Sequence, residues 1–468
     1  MSAIDERVDR SVQTDARAKP ARPEDGAASG ALAAIVLAAG QGTRMKSAVP
    51  KHLHPLLGRR LVDWVIEAVR PLGADPLVVV ASPDSAGAFD GVLVAVQQEP
   101  LGTGDAVRSA RVAVGDADTI LVVSGDHPRL TPDVLRQLVA DHRAAGAAGT
   151  VLSFEPPDPR AYGRIVRGTD GSLQAIVEAT DASDDQLALN EVNSSIYVFD
   201  AAKLWSAVDR LEPQNVQGEL YLTDAVRFLV EDGDDVGVTK ASDPAEIEGV
   251  NTRAELAEAA AALRARVNRE HMLAGVTIVD PQTTWIDPDV ELEPDSTIEP
   301  FTILRGRTRV AAGARVGPHV VAVDAEIGPD VVVGPFCYLR PGTVLAAGAK
   351  AGTFVELKNT KVGERAKVPH MSYIGDAEIG EDTNIAAGNI TANYPHEPGL
   401  PKQKTKIGRN VRTGIHNGFQ APVEIGDDAW IAGGTYITED VPPESLAGFP
   451  PRQITKEGYL RGERDDDH

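Results

Sequence analysis

The sequence predicts two folded units of different kinds in one chain: an α/β unit on a mostly parallel sheet, then a parallel β-helix of six-residue repeats. Three observations predict it. Short apolar runs alternate with helix-like stretches from Ala31 to about Asn251. From about Val276 aliphatic residues recur at every sixth position, a period that fits neither an amphipathic helix nor an alternating strand. Between the two, residues 252–273 form one Ala- and Leu-rich segment that opens on Thr252-Arg253-Ala254-Glu255, the pattern of a helix capping box.

Bulk properties narrow the function. At 468 residues the chain exceeds what one apolar core usually organises. A formal net charge of −23 excludes sequence-independent nucleic-acid binding, which needs a basic face to displace counterions from phosphates. Cys337 is the only cysteine, so no intrachain disulfide forms, and a reducing, cytoplasmic setting is expected. No apolar run is long enough to span a membrane. Residues 1–30 are rich in charge, Pro, Ala and Gly and lack an apolar signal core. They are expected to be a disordered tail, as is the acidic segment 461–468.

Within the first unit, 31–251, the runs Leu32 to Leu37, Pro76 to Ala81 and Thr119 to Ser124 read as strands. Each is followed by Gly, Ser or Asp, which places polar loops at the carboxyl ends of the strands, where open α/β sheets bind ligands. Segment 252–273 reads as a linking helix. In the second unit, 274–460, the inward positions are Ile286, Leu292, Ile298, Leu304, Val310 and Val316, then after a short break Ile327, Val333, Leu339, Leu345, Ala351 and Leu357. The phase steps by five to Val362, resumes through Val368 and Ile374, steps again to Ile379, and continues at Ile385, Ile407, Ile425, Ile431 and Ile437. Such a period marks stacked coils in which each wall contributes one inward residue per hexad. Thr391 to Thr405 lacks the pattern and is expected to be a loop excursion.

Candidate chemistry begins directly after the first strand. Leu37-Ala38-Ala39-Gly40-Gln41-Gly42-Thr43-Arg44 is a turn whose glycines let backbone N–H groups approach a phosphate, with Arg44 and Lys51 to supply charge. By itself such a turn is weak evidence. It is followed in order by Gln97, by Leu101-Gly102-Thr103-Gly104, by Ser124-Gly125-Asp126 at a strand end, and by Tyr162-Gly163-Arg164-Ile165. In that company Asp126 becomes a candidate Mg²⁺ ligand.

This order of motifs resembles the sugar-1-phosphate nucleotidyltransferases. More narrowly, with the hexapeptide repeats in the same chain, it is similar to the bifunctional N-acetylglucosamine-1-phosphate uridylyltransferase/glucosamine-1-phosphate N-acetyltransferase family, over roughly Leu32 to Leu460. The resemblance implies a Rossmann-like nucleotidyltransferase domain and a left-handed β-helix that assembles as a homotrimer. It also implies synthesis of UDP-N-acetylglucosamine from glucosamine-1-phosphate, acetyl-CoA and UTP with Mg²⁺. Carried over, Leu37, Ala38, Ala39, Gly40, Gln97, Gly102 and Thr103 match contacts to uridine and phosphates, and Lys51 and Arg44 match groups that grip phosphates at the reacting centre. Gly163, Glu178 and Asn193 match acetamido-sugar contacts, while Asp126 and Asn251 match a Mg²⁺ pair. The phosphate nucleophile is already ionised at neutral pH, so the uridylyl step needs alignment and charge neutralisation and no protein base.

In the repeats, Arg340 and Lys358 each follow an inward residue, three hexads apart, and one coil of three hexads stacks them about 4.8 Å apart. Two stacked cations are relieved by a phosphate. By resemblance Arg340, Lys358, Tyr373 and Asn384 hold the amino-sugar phosphate, and His370 is the general base that takes the amine's proton. Ala387, Asn393, Tyr394, Lys402, Ile415 and Gly433 match acetyl-CoA contacts. The chain departs from the family's usual Gly-Ser-Asp-Thr at Gly414-Ile415-His416-Asn417, at Pro450 near Arg452, at Asp105, and at His127-Pro128-Arg129. Two alternatives stay open at this point: a uridylyltransferase whose β-helix is only a trimerising scaffold, and a non-catalytic sugar-nucleotide sensor. A separate reading makes His416 an added base or metal ligand.

Overall fold

The computed structural model describes residues 30–159, 162–213, 215, 217–395, 399–448 and 455. The two terminal tails, apart from Gly30, together with Pro450 and Arg452, lie outside the described residues.

Elements of the first unit follow in the order β1 (Leu32–Ala38), β2 (Pro55–Leu56), β3 (Arg59–Arg60), α1 (Leu61–Val69), β4 (Leu77–Ala81), β5 (Leu93–Val96), α2 (Thr103–Val114), β6 (Thr119–Ser124) and α3 (Pro132–Ala145). Then come β7 (Gly149–Phe154), β8 (Arg164–Arg167), β9 (Leu173–Val177), α4 (Asp184–Leu187), β10 (Val192–Asp200), α5 (Ala201–Val208), α6 (Leu222–Glu231) and β11 (Val236–Lys240). The sheet runs β11-β7-β10-β6-β1-β4-β5, with β10 antiparallel to β6 and β7 and a β8–β9 arm attached beside β10. Successive side chains of β1 point to opposite faces. Ile35 and Leu37 pack with α2, α5 and α6, whereas Ala34, Val36 and Ala38 pack with α1 and α3. Burial on both faces explains why these strands read as continuous apolar runs without alternation.

Helix α7 (Arg253–Leu273) joins the units. Thr252 Oγ1 accepts from the Glu255 N–H at 3.2 Å while Glu255 Oε2 accepts from the Thr252 N–H at 2.9 Å, which satisfies amides that the helix start would leave orphaned. Asn268, fully buried on this helix, donates to the carbonyls of Pro281 and Thr284 at 3.0 Å and so anchors the first coil of the β-helix. Leu56, Leu61 and Trp64 of the first unit lie in the same apolar cluster as the stack of inward residues. Arg59 adds an ion pair to Asp289 at 2.5 Å across this junction.

The second unit is a left-handed parallel β-helix with three ladders of short parallel strands. One ladder stacks Ile286, Leu304, Ala322, Leu339, Leu357 and Ile374 in register. All six are fully buried. The break expected after Val316 is a correction: Ala322 fills the next inward position and a five-residue step follows to Ile327. Ala322 keeps the six-residue phase from Val316, and it is the five-residue step after it that makes the pattern read as a break. Thr391 is likewise inward, 1 % exposed in the strand Ile390–Ala392, so the excursion begins at residue 393. Between Ile407 and Ile425 the inward positions are Thr413 and Phe419. Threonines at the corners close the turns: Thr308 and Thr343 each donate to a carbonyl three residues back at 2.7 Å, so a buried hydroxyl satisfies a backbone acceptor.

One corner carries a ladder of aromatic rings. Phe301, His319, Phe336 and Phe354 stack at centroid distances of 4.7, 4.8 and 5.3 Å. All four have positive φ, between 54° and 57°, a conformation that costs bulky side chains energy. Stacking offsets part of that cost.

Candidate active sites

The first cavity, about 470 Å³, opens at the carboxyl end of β1 and is lined by Leu37, Ala39, Gly40, Arg44, Lys51, His52, Gln97, Gly102, Thr103, Asp126 and Asn251. Ala38 lies beneath it, buried in the sheet. Gly42 has a φ of 61°, and a Cβ there would fall 2.4 Å from Lys51 Cβ. Only glycine lets the loop close over the lysine. Gly102 is needed for the same reason, since a Cβ would meet the Leu220 carbonyl at 2.6 Å. Thr103 Oγ1 accepts from the Leu222 N–H at 2.9 Å and fixes this loop to α6. Gln97 donates from Nε2 to the Gly102 carbonyl and to Asp105 Oδ2, both at 3.0 Å. The departure at Asp105 therefore has a role here: its carboxylate orients the Gln97 amide.

Lys51 Nζ stands 2.5 Å from Asp126 Oδ2 and 3.1 Å from Asn251 Oδ1, and Arg44 Nη2 is 2.9 Å from Asn251 Oδ1. Backbone bonds bring the distant segments together: the Val250 N–H donates to the Asp126 carbonyl at 2.9 Å, and the Asn251 N–H donates to Glu255 Oε2 at 2.6 Å. The capping box of α7 thus also places Asn251. Burial alone would raise the Asp126 pKa, but the Lys51 ammonium, with His127 and His52, holds it well below the usual carboxylate range. Burial, then Lys51, pushes His52 down to about 4, so it is neutral at pH 7. Ser124 Oγ donates to Asp126 Oδ1 at 2.7 Å, and His127 Nε2 lies 3.3 Å from the same oxygen while its Nδ1 meets the Ile247 carbonyl at 2.6 Å.

A smaller cavity of about 230 Å³ continues from the first past Leu37, Thr103 and Ser195 to Glu178, Tyr197, Tyr221 and Thr223. Burial raises the pKa of Glu178, which accepts from Thr223 Oγ1 at 3.3 Å, and pushes Tyr221 up to about 12. The Asn193 N–H donates to the Gly163 carbonyl at 2.8 Å. Its side chain donates to the Tyr197 hydroxyl at 2.7 Å. Pairing of β10 with β7 shifts between Asn193 and Tyr197, and Ser195 there has a φ of 61°. That irregularity turns Ser195 toward both cavities. Ser195, Tyr197, Tyr221 and Thr223 carry no motif, and the irregularity that presents them depends on sheet register.

On the β-helix, Arg340 directly follows one strand and Lys358 ends the strand paired with it, since Leu339 is in register with Leu357. Arg340 Nη1 pairs with Glu356 at 2.8 Å and Lys358 Nζ lies 3.9 Å from Asp376. Tyr373 stands on the next coil, opposite Glu356. Lys402 comes beside Lys358 and lowers its pKa. Its ammonium is 5.2 Å from the Tyr394 ring centroid. Asn393 is buried and bonded through Nδ2 to Asp376. Asn393, Tyr394 and Lys402 therefore gather within this chain at the end where the two cations stand. His370 lies on the preceding wall, exposed at the end of the strand Lys367–His370 and in register with Thr353. Ala387, Ile415 and Gly433 follow on successive coils, linked by bonds from the His416 N–H to the Ala387 carbonyl and from the Gly434 N–H to the Ile415 carbonyl, both 2.8 Å. Asn384 bridges Lys367 and Arg412 on this wall.

The altered segment Gly414-Ile415-His416-Asn417 has a structural account. Asn417 is 2 % exposed, donates to the Gly414 carbonyl at 2.8 Å and accepts from the Thr435 N–H at 2.8 Å, which closes the corner internally. His416 lies against Gly388, where a Cβ would come within 2.5 Å of Nδ1. Two coils, roughly 10 Å, separate it from the coil of His370. Among the described residues no group of three or more His, Cys, Asp and Glu is arranged to hold a metal. No helix among them is long and apolar enough to cross a membrane.

A glycine-rich loop with a paired Lys and Asp at the strand ends, followed by hexapeptide coils, is the arrangement of a nucleotidyltransferase carrying a β-helix of the acyltransferase type. Residues 34–219 match the model of the MobA-like NTP transferase domain. The Bifunctional protein GlmU of Streptomyces avermitilis is 46 % identical over 458 residues, 92 % of this chain and 94 % of that protein. Those of Thermobifida fusca and Mycobacterium tuberculosis are 45 % and 44 % identical, covering 93 % of this chain and 96 % and 93 % of their own lengths. The chain belongs to the family of bifunctional GlmU proteins.

Proposed function

We propose that the two sites act in sequence to make UDP-N-acetylglucosamine, with residues 31–251 as the uridylyltransferase and 274–460 as the acetyltransferase. In the first step the 2-amino group of glucosamine-1-phosphate attacks the acetyl carbonyl of acetyl-CoA, His370 takes the amine's proton, and CoA leaves as its thiol. Arg340 and Lys358 hold the sugar phosphate, and Lys402 adds a third cation beside them. Tyr373 and Asn384 border the sugar, and Ala387, Ile415 and Gly433 line the path of the thioester arm. In the second step a phosphate oxygen of N-acetylglucosamine-1-phosphate attacks the α-phosphorus of UTP and pyrophosphate leaves. Gly40, Gln97, Gly102 and Thr103 hold the nucleotide, and Gly163, Glu178 and Asn193 the acetamido sugar. Lys51 and Arg44 neutralise charge on the phosphates as the bond to pyrophosphate breaks.

Two oxygens, Asp126 Oδ2 and Asn251 Oδ1, converge on one cation, the Lys51 ammonium. A pair of hard oxygen donors completed by substrate phosphates and water is the usual setting of Mg²⁺, so these residues fit the ion. Bound there, Mg²⁺ supplies further charge neutralisation for the transferring phosphoryl group.

The observation that carries the reading is the convergence of Arg44, Lys51, Asp126 and Asn251, from separate stretches of the chain, on one cavity. Its test supplies each half-reaction separately to the purified protein. Pyrophosphate release from UTP and N-acetylglucosamine-1-phosphate, and thiol release from acetyl-CoA with glucosamine-1-phosphate, are both expected. Pyrophosphate without thiol would leave the β-helix as a scaffold, and binding of UDP-sugar without either product would leave a sensor.

We also place the enzyme in the cytoplasm as a homotrimer. The exposed aromatic corner supports assembly: Phe301, Phe336 and Phe354 are 52 %, 48 % and 60 % exposed along one edge, a contiguous apolar strip of the kind interfaces cover. Light scattering should give three chains per particle, and Phe336→Asp with Phe354→Asp should reduce it toward one.

A further inference from the structure

We infer that Lys51 is a resident counter-ion of the Mg²⁺ site, so that a divalent ion binds there only when a nucleotide's phosphates draw the lysine away. The inference rests on the proposed metal pair and goes one step beyond it. Both oxygens of the pair are engaged by this one ammonium, 2.5 Å from Asp126 Oδ2 and 3.1 Å from Asn251 Oδ1. Asn251 Oδ1 is held in addition by Arg44, at 2.9 Å. The other oxygen of Asp126 is already engaged, because Ser124 Oγ donates to Oδ1 at 2.7 Å. Ser124 thus acts as a positioning residue that turns Oδ2 toward the cavity.

A divalent cation entering this point meets an ammonium already seated among its ligands, and like charges at such range in a part-buried site repel strongly. Lys51 and Asp126 side chains are only 10 % and 14 % exposed, so water screens the repulsion little. The lysine has a second place to go once phosphates arrive. Arg44, Gly40 and Gln97 line the same cavity, and a triphosphate among them offers the ammonium several anionic oxygens. Lysine's flexible stem allows the exchange with no backbone movement. Metal and nucleotide are then coupled: each binds more tightly in the presence of the other, and free Mg²⁺ does not occupy the resting site.

The test measures Mn²⁺ binding to the full chain without nucleotide, by the loss of the free-ion paramagnetic resonance signal. The wild-type protein should bind weakly at this site. Lys51→Met should tighten binding at least ~10-fold, one factor of ten being about 1.4 kcal/mol, while Lys46→Met, which removes a nearby exposed charge, should change it little. Adding Asp126→Asn to Lys51→Met should abolish the gain. Equal affinity in wild type and Lys51→Met, with both proteins folded by circular dichroism, overturns the counter-ion role. A gain that survives Asp126→Asn overturns the metal assignment itself. If Lys51→Met unfolds, Ser124→Ala supplies the second measurement: freeing Oδ1 should tighten Mn²⁺ binding to the nucleotide-free protein, and no change overturns the positioning argument.

Discussion

Asp126→Asn should lower uridylyl transfer by about 10³-fold or more, on the order of 4 kcal/mol of transition-state stabilisation, with acetyl transfer unchanged. Asparagine keeps the shape of the side chain and removes the charge, so the loss reads the charge alone. Alanine would in addition remove the oxygen that accepts from the Lys51 ammonium, 2.5 Å away in a part-buried site. Pyrophosphate release at saturating substrates, measured across a Mg²⁺ titration, checks the expectation. Equal activity in the variant would remove Asp126 from the reaction. The same carboxylate makes stability depend on pH. Its folded pKa is depressed, so the contribution is complete above the ordinary carboxylate value of about 3.9 and is lost as pH falls toward the folded one. The Asn variant should therefore lose less stability than wild type as the pH is lowered below that value.

His370→Ala should slow acetyl transfer by 10²- to 10⁴-fold, roughly 3–5 kcal/mol, with uridylyl transfer retained. The side chain is exposed at a strand end and fills no core position, so its loss should leave the thermal midpoint nearly unchanged. The effect should fall on kcat, measured as thiol release. Arg340→Ala should behave in the opposite way and raise KM for the sugar phosphate, because its guanidinium meets the substrate in ground and transition states alike. A His370→Ala enzyme with normal kcat would assign the proton to another base.

The two architectures were legible for different reasons. Buried strands such as β1 and β6 stand out as apolar runs, and the hexads stand out because each coil repeats the same burial problem. Ala322 escaped because the five-residue step after it breaks the phase, and Thr413 and Phe419 because a polar and an aromatic residue can each fill an inward position that a search for aliphatics passes over. Thr391 escaped similarly, its hydroxyl bonding to the Gly375 backbone inside the stack. Among the candidate site residues, those in glycine-rich turns could be named because the chain conformation itself demands glycine, as at Gly42 and Gly102.

The sequence by itself determined that an α/β unit precedes a six-residue-period β-helix, because local pattern survives without coordinates, and resemblance in motif order named Lys51, Asp126, Asn251 and His370. Only the tertiary structure decided which of these meet. Asp126 and Asn251 come together through the Val250–Asp126 backbone bond and the cap of α7, Lys402 joins Lys358 through a loop return, and Asn417 turns inward to close a corner. Such contacts join residues far apart in the chain or depend on which way one side chain turns, and periodicity carries no record of either.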